Sequence, residues 1–343
     1  MTVKSKSKLI RNFLFFILLI GITLYILLKD QNITVIFQII RSAKVEYLLI
    51  GIVCMILYLA CEAIDIGRTL KVLNEKSSFK QNFKYALIGF FFSSITPAAS
   101  GGQPMQIYYM HKDNIDISSS TLALLLNLSG MQVITLSFAF ISLLFNYQYM
   151  NKVLIIFFII GVCLNMSALA LLIIGIFSKR MSEGLVHIAI KIMKCFKIRN
   201  IDQKKEKIEA QLAKYQESAV YIKKHKSLMV KIIATTAVQF LLYYSTSYWT
   251  YRALGLSEHG ILEIITMQSV LYATVSGIPS PGAVGVSEGA FTEIFRNVYP
   301  QDMMTSSVLL SRGINFYLFV VISGIVVIVN QLRWKKIDKE VQS

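Results

Sequence analysis

"TPAASGGQPMQ", residues 96–106, interrupts a sequence that is otherwise apolar: "ALIGFFFSSI" precedes it and "IYYM" follows. It holds two of the chain's five prolines, Pro97 and Pro104, and the pair Gly101–Gly102. Proline removes a backbone donor and collides with the preceding helical turn, and glycine releases the backbone. A continuous helix through these residues is therefore excluded. Further along the chain, "GIPSPGAVGVSEGAF" (277–291) holds two more prolines, Pro279 and Pro281, with Gly282 and Gly285 close by. A shift of 184 residues carries Pro97 onto Pro281, Ala99 onto Ala283 and Gly101 onto Gly285. The same shift carries Arg68 onto Arg252 and Lys112 onto Arg296. Identity over the shifted segment is low, but the matches fall on the residues that constrain a backbone or a membrane interface.

Around these breaks the composition is that of a membrane protein. Hydrophobic residues make up 55% of the 343 and charged residues only 16%, against about a quarter charged in soluble domains. Six stretches reach the roughly 20 apolar residues that a bilayer requires: Leu9–Leu28, Tyr47–Ile66, Ser119–Phe145, Lys152–Phe177, Met229–Thr250 and Thr305–Gln331. The first reads as an uncleaved anchor. Two more apolar stretches, 81–112 and 262–296, contain the breaks.

The net charge of +16 raises nucleic acid as a partner, but its placement argues against that reading. With a cytoplasmic N-terminus and six spans, 28 of the 35 Lys and Arg residues fall on the inner side and six on the outer, Arg312 lying within a span. Such a bias sets orientation and predicts cytoplasmic termini in a multi-pass plasma-membrane protein. Tyr147, Tyr149, Trp249 and Tyr251 are expected as interfacial anchors at the outer ends, and Trp334 at the inner end. Residues 178–228 are expected as a basic cytoplasmic linker in which "LVHIAIKIMKCF" forms an interfacial amphipathic helix. The whole chain, residues 1–343, is expected to be one integral membrane domain.

The repeat then comprises residues 46–145 and 230–329, each a span, a broken hairpin and a span. One extra span, 152–177, inverts the second copy. The expected fold is an all-α polytopic membrane protein with six full spans and two re-entrant helical hairpins in an inverted-topology repeat. Broken backbone at membrane depth is tolerated only where protein or a wet cavity covers it, and inverted repeats with discontinuous helices mark transporters. The half-helices starting near Gly102 and Val286 aim their N-termini at the breaks, which favours anions there.

The candidate binding residues are Pro97, Gly101, Gly102, Gln103, Pro104 and Gln106 at the first break, and Pro281, Gly282, Gly285 and Glu288 at the second, with Arg312. Glu288 opens the second half-helix. An unpaired Arg312 within a span costs at least roughly 2.5 kcal/mol, so it is expected to pair with Glu288, to hold a lipid phosphate, or to reach the interface. Glu62, Asp65 and Arg68 share one helix face. Glu293, Arg296 and Asn315 are weaker candidates. The four cysteines and four histidines show no metal-ligand spacing, and there is no phosphate-cradling GxxxxGK[ST] motif. No cofactor, metal or catalytic residue is expected.

"TPAASGGQPMQIYYM", "PSPGAVGVSEGAF" and the Arg of "LLSRGINF" together resemble the lysylphosphatidylglycerol synthase transmembrane family, also called the flippase-like domain family, over nearly the whole chain. Its members include the membrane half of the multiple peptide resistance factor. The resemblance implies translocation of a phospholipid between leaflets, with anionic or aminoacylated lipids as partners and with antibiotic resistance as the associated biology. Relatives often carry an acid and an Arg in the first motif, where this chain has Gln103 and Gln106. Many are named lysyltransferases, for a separate soluble domain. Three alternatives stay open: a membrane lipid transferase, a small-solute secondary transporter, and a partner of a separate lipid synthase. An oligomer is compatible with all of them.

Overall fold

The computed structural model describes residues 20–29, 31–146, 152–180 and 201–340, together with Leu14, Ile17, Leu18, Glu183, Gly184 and His187. Among the described residues every regular element is helical. In chain order these are α1 (Ile20–Leu28), α2 (Ile33–Ser42), α3 (Val45–Val72), α4 (Phe79–Ser94), α5 (Gly102–Lys112), α6 (Ile117–Asn146), α7 (Lys152–Phe177), α8 (Ile201–Lys224), α9 (Lys226–Ala253), α10 (Ile261–Val275), α11 (Val286–Ile294), α12 (Met304–Arg312) and α13 (Leu318–Glu340). Short 3₁₀ turns occupy Pro97–Ala99 and Pro281–Ala283, and a π turn, Gly313–Tyr317, joins α12 to α13.

Five helical segments are long and apolar enough to cross a membrane: Val45–Val72, Ile117–Phe145, Leu154–Phe177, Lys226–Ala253 and Met304–Arg333. They overlap five of the six stretches expected to span. A sixth exists if α1 and α2 count as one span, bent by 101°. The bend follows from local chemistry. The Asn32 side chain accepts hydrogen bonds from Thr34 N and Val35 N, so a fresh helix nucleates there. The N-terminal half of the expected span Leu9–Leu28 lies largely outside the described residues, as do Tyr147 and Tyr149.

The helix ends obey the same rules. Ser78 and Gln81 form a capping box at the start of α4, satisfying donors that the helix leaves orphaned. The helix stops at Ser94 because Pro97 forces the preceding Thr96 to extended geometry (φ −120°, ψ 143°).

Helices α3 and α9 form an antiparallel central seam. Lys44 N donates to Ala253 O (2.8 Å), Tyr47 stacks on Trp249 (6.2 Å), Tyr58 packs against Phe240, and the Thr236 hydroxyl reaches Asp65 (3.5 Å). On either side, α4 packs on α13 and α10 packs on α6, while the two proline turns touch each other. Val284, from the second turn, is buried with Tyr85, Phe92, Tyr109 and Phe316 around the first. In lipid, helix association is driven by close packing rather than by release of water. Gly161 shows this: a Cβ there would overlap the carbonyl oxygen of Ala273.

One expectation is corrected, and one stretch is found to hold a packed helix. Tyr251 is buried at 1% exposure, packed against Tyr299, with its hydroxyl accepting from His259 N; it is a core residue, not an interfacial anchor. The stretch expected as a linker contains α8, which is fixed to the bundle. Ser118 donates to Gln211 O (2.8 Å), Tyr215 donates to Gly175 O (3.0 Å), and Ala219 and Ile222 are buried against Leu122 and Ile176. Asp116 anchors this contact. Partial burial acts to raise its pKa, but the Ser118 amide, the Lys214 ammonium and the Gln211 side chain together hold the carboxyl below its ordinary value. Of the expected amphipathic helix, only His187 lies among the described residues.

Candidate functional site

The two breaks share a backbone course. Thr96 and Ser280 are extended (φ −120°, ψ 143° and φ −109°, ψ 144°). The prolines follow, and the next residues, Ala98 (φ 51°, ψ 31°) and Gly282 (φ 59°, ψ 17°), are left-handed, as are Ala99 (φ 54°) and Ala283 (φ 52°). Left-handed geometry costs an L-residue roughly 1–2 kcal/mol, so three alanines held there mark a constrained site. Beyond this point the copies diverge. Gly285 keeps a positive φ of 86° whereas Gly101 has φ −89°. Gly101 is needed instead for space, because a Cβ would press on the Thr96 side chain and on Phe92 O.

At the second break a buried ion pair closes the structure. Arg312 Nε donates to Glu288 Oε1 (2.9 Å) and its Nη2 donates to Gly282 O (3.0 Å), a carbonyl released by the break. The side chains are 8% and 2% exposed. Tyr317 OH donates to the same carboxylate oxygen (3.0 Å), and Gly285 N donates to the other (2.7 Å). The guanidinium also lies 4.1 Å from the centre of the Phe316 ring, a favourable cation–π position. The π turn makes this constellation: residues five apart diverge by about 140° on an α-helix, whereas i→i+5 bonding lets Arg312 and Tyr317 meet one carboxylate. The sequence suggested Arg312 and Glu288 but not Tyr317 or Phe316. The available signal was a pair of aromatics just after an intramembrane Arg.

Glu288 therefore caps its own helix, and the N-terminus of α11 does not stand open to an outside anion as expected. The N-terminus of α5 differs: Gly101 supplies no side-chain cap there.

At the first break an amide takes the place of the charge pair. Gln106, 2% exposed, donates to Glu62 Oε1 (2.9 Å) and to Tyr85 O (3.1 Å). Its seat exists because Gly89 has no side chain; a Cβ there would overlap the Gln106 amide. Gly102 packs as closely on Ser93. Asp65 pairs with Arg68 (3.1 Å), which also donates to Thr235. Glu62 thus leaves the expected triad to join the hairpin. Gln103 is partly buried and Pro104 is exposed. Pro97 and Pro281 belong to turns that touch. Glu293 and Arg296 are exposed and apart from the ion pair, while Asn315 is buried beside Ser311 (3.5 Å). Beside the second half-helix lies a largely apolar cavity of about 370 Å³, lined by Phe157, Ile278, Val286, Gly289 and Glu293 among others. Among the described residues no group of three or more His, Cys, Asp or Glu side chains is placed to hold a metal.

The proline turns and the polar groups gathered at them lie within residues 13–335, which match the family model described as the lysylphosphatidylglycerol synthase TM region. The chain belongs to this family. The match runs over nearly all of the sequence, so the family domain is the helical bundle itself, with both breaks and the Glu288–Arg312 pair inside it. No curated protein matches the chain. Family and helices together make it a multi-pass membrane protein.

Proposed function

We propose that the protein translocates a phospholipid between leaflets, with α4–α5 and α10–α11 as re-entrant hairpins that enter from opposite faces. The inverted repeat is supported by the shared turn geometry and by the exchange of contacts, α4 on α13 and α10 on α6, about the antiparallel α3–α9 seam. The observation that carries the functional reading is the buried Glu288–Arg312 pair seated on the broken backbone. An ion pair in that place gives little net stability after desolvation, but it is suited to exchange. A headgroup phosphate competes for the Arg312 fork, and a headgroup ammonium, as in an aminoacylated phosphatidylglycerol, takes Glu288. The N-terminus of α5, where Thr96 Oγ1 accepts from Gly101 N (2.9 Å) but no carboxylate takes the place of Glu288, offers a second seat for the phosphate. The apolar cavity beside α11 suits acyl chain more than small solute. Both termini and the α8 segment are cytoplasmic in this arrangement, in the plasma membrane.

Proteoliposomes holding the purified protein and a headgroup-labelled phospholipid test the function through the share of label that an impermeant quencher reaches. Wild type is expected to expose the inner-leaflet label to quencher, whereas Arg312→Lys, which keeps the charge but loses the planar fork, is expected to be inactive. Solute uptake without lipid movement would place the protein among secondary transporters, and lipid product formed with an added aminoacyl or sugar donor would make it a transferase. Topology has its own test. Single cysteines at Lys112 and Asn297, both exposed, in a background without the four native cysteines, are expected to react with impermeant maleimide from opposite sides of sealed vesicles. Reaction from one side overturns the inverted repeat.

A further inference from the structure

The two breaks do not balance in charge. At the second, Glu288 and Arg312 neutralise each other. At the first, Glu62 and Asp65 stand one turn apart on α3, and Arg68 donates to Asp65, Thr235 and Lys231 O. Among the described residues no Lys, Arg or His forms an ion pair with Glu62; its hydrogen bond comes from the Gln106 amide (2.9 Å). The elements packed around it bring no other cation. On α4, Lys84 and the Tyr85 hydroxyl both turn to Asp113. On α5, His111 and Lys112 are exposed at the far end. On α9, Lys231 meets Arg68 through its carbonyl, and Tyr243 packs on Tyr58 (5.4 Å). In the π turn, the Tyr317 hydroxyl is on Glu288. Helix α6 has no ionisable side chain along its length, and on α3 itself Tyr58 and Cys61 are the remaining titratable neighbours.

Position gives this unbalanced charge its meaning. About 15 Å of helix separates Glu62 from Val72, the end of α3, so the carboxylate is at membrane depth. Val53, Leu57 and Ile64, all exposed, mark the outward stripe of α3. Glu62 lies about 140–180° round the helix from each of them, yet it is partly exposed. Its exposed surface therefore opens into the bundle and not onto lipid. Ionisable groups placed in this way mark ion pathways. A second observation comes from α9. Across the seam Thr236 meets Asp65 and Phe240 meets Tyr58 (6.4 Å), so Gln239, between them, stands at the level of Glu62. It is fully buried, and neither end of its amide has a hydrogen-bond partner. A carboxylate short of a cation and an amide oxygen short of a donor are the oxygen ligands that hard cations take, and coupling ions bind near the midplane in transporters built from inverted repeats.

We propose that Glu62, with Gln239 beside it, binds a small monovalent cation, a proton or a sodium ion, and that this cation is coupled to the lipid movement proposed above, on which the coupling rests. When the cation binds, the first break becomes neutral. The hydrogen bond from Gln106 then loses the charge that strengthens it, and α5 is loosened from α3. When the cation leaves, the carboxylate draws Gln106 back and the first hairpin docks again. Glu62 acts here as a positioning residue for the hairpin, through Gln106.

Two readouts on the full-length protein test this. The first is movement of headgroup-labelled dioleoylphosphatidylglycerol in sealed proteoliposomes, under either a sodium gradient at equal pH or a pH gradient without sodium. One of the two gradients is expected to speed wild-type movement, and the matching ionophore to abolish the gain; which gradient acts identifies the ion. Glu62→Gln, which keeps the shape and loses the charge, is expected to lose the gain entirely, and Gln239→Leu to need a steeper gradient for the same gain. The second readout needs no lipid movement. Infrared difference spectra of the purified protein, on adding sodium or on acidification, are expected to show a carboxyl band change that Glu62→Gln lacks and Arg312→Lys keeps. Glu62→Asp, which retains the charge, is expected to show the band at a shifted position, and stands in if Glu62→Gln does not fold. A spectrum that is the same with and without Glu62 overturns the cation site. Wild-type lipid movement that ignores both gradients overturns the coupling and leaves translocation standing. If no lipid moves while the Glu62 band responds, the failure lies in the translocation reading, and the coupling falls with it.

Discussion

Glu288→Gln is expected to destabilise the protein by about 3–5 kcal/mol, the cost of breaking a buried ion pair, and Arg312→Gln by distinctly less. The asymmetry follows from what each survivor can do. With Glu288 neutral, Arg312 stays charged, because a guanidinium does not give up its proton; it keeps Gly282 O and the Phe316 ring and at best a neutral amide oxygen in place of the carboxylate. With Arg312 removed, Glu288 still accepts from Tyr317 OH and Gly285 N. The double variant is expected to be more stable than the Glu288→Gln single variant, since no charge is then buried. It should nevertheless be inactive, because the exchange that the pair offers is gone. Unfolding free energies of the four proteins in mixed micelles, set out as a double-mutant cycle, measure this. Two losses that simply add would show that the residues do not act as a pair, and normal translocation by the double variant would remove both from the transport site.

The positions of the breaks were legible because proline and glycine act on the backbone directly. Pro97 and Pro281 fix their turns whatever packs around them, and the start of α5 at Gly102 followed from them. The ion pair was legible in outline, since a span that carries Arg312 needs a partner within reach. What could not be read depends on contacts between distant segments. The link from Gln106 to Glu62 requires α5 to lie on α3 through the gap at Gly89, and no local pattern announces such an approach. The π turn after Arg312 has no residue signature, yet it decides that Tyr317 joins the carboxylate. The short helix α2 fell below the length that a span search detects, although Asn32 was a legible cap. Helix α8 was hidden by its own charge. Its packed stripe, Tyr215, Ala219 and Ile222, has helical spacing, but lysines and glutamates dominate the composition around it.

Gly282→Ala is expected to cost roughly 2–5 kcal/mol and to abolish translocation, while Ala98→Gly at the matching place in the first turn stabilises by up to about 1.5 kcal/mol. Both residues are left-handed, at φ 59° and φ 51°. Strain alone therefore gives Gly282→Ala a cost of roughly 1–2 kcal/mol, and gives Ala98→Gly the corresponding relief less the entropy that glycine loses on folding, roughly 0.5–1 kcal/mol. The remaining difference is steric. A Cβ on Gly282 overlaps the tip of the Phe316 ring, and that ring is buried, tilted against Phe90 and covered by the Arg312 guanidinium. Moving it adds an overpacking cost of roughly 1–3 kcal/mol and withdraws a support of Arg312. Gly282→Ala combined with Phe316→Leu, which removes the overlapping Cζ, is expected to recover the steric part of the stability but not the cation–π contact, and so to remain impaired in translocation. Thermal unfolding and lipid movement measured on the same preparations check the whole set. If Gly282→Ala stays within about 0.5 kcal/mol of wild type, the usual range for substitutions away from such features, the close seat of Phe316 on the second turn is not what holds Arg312 in place.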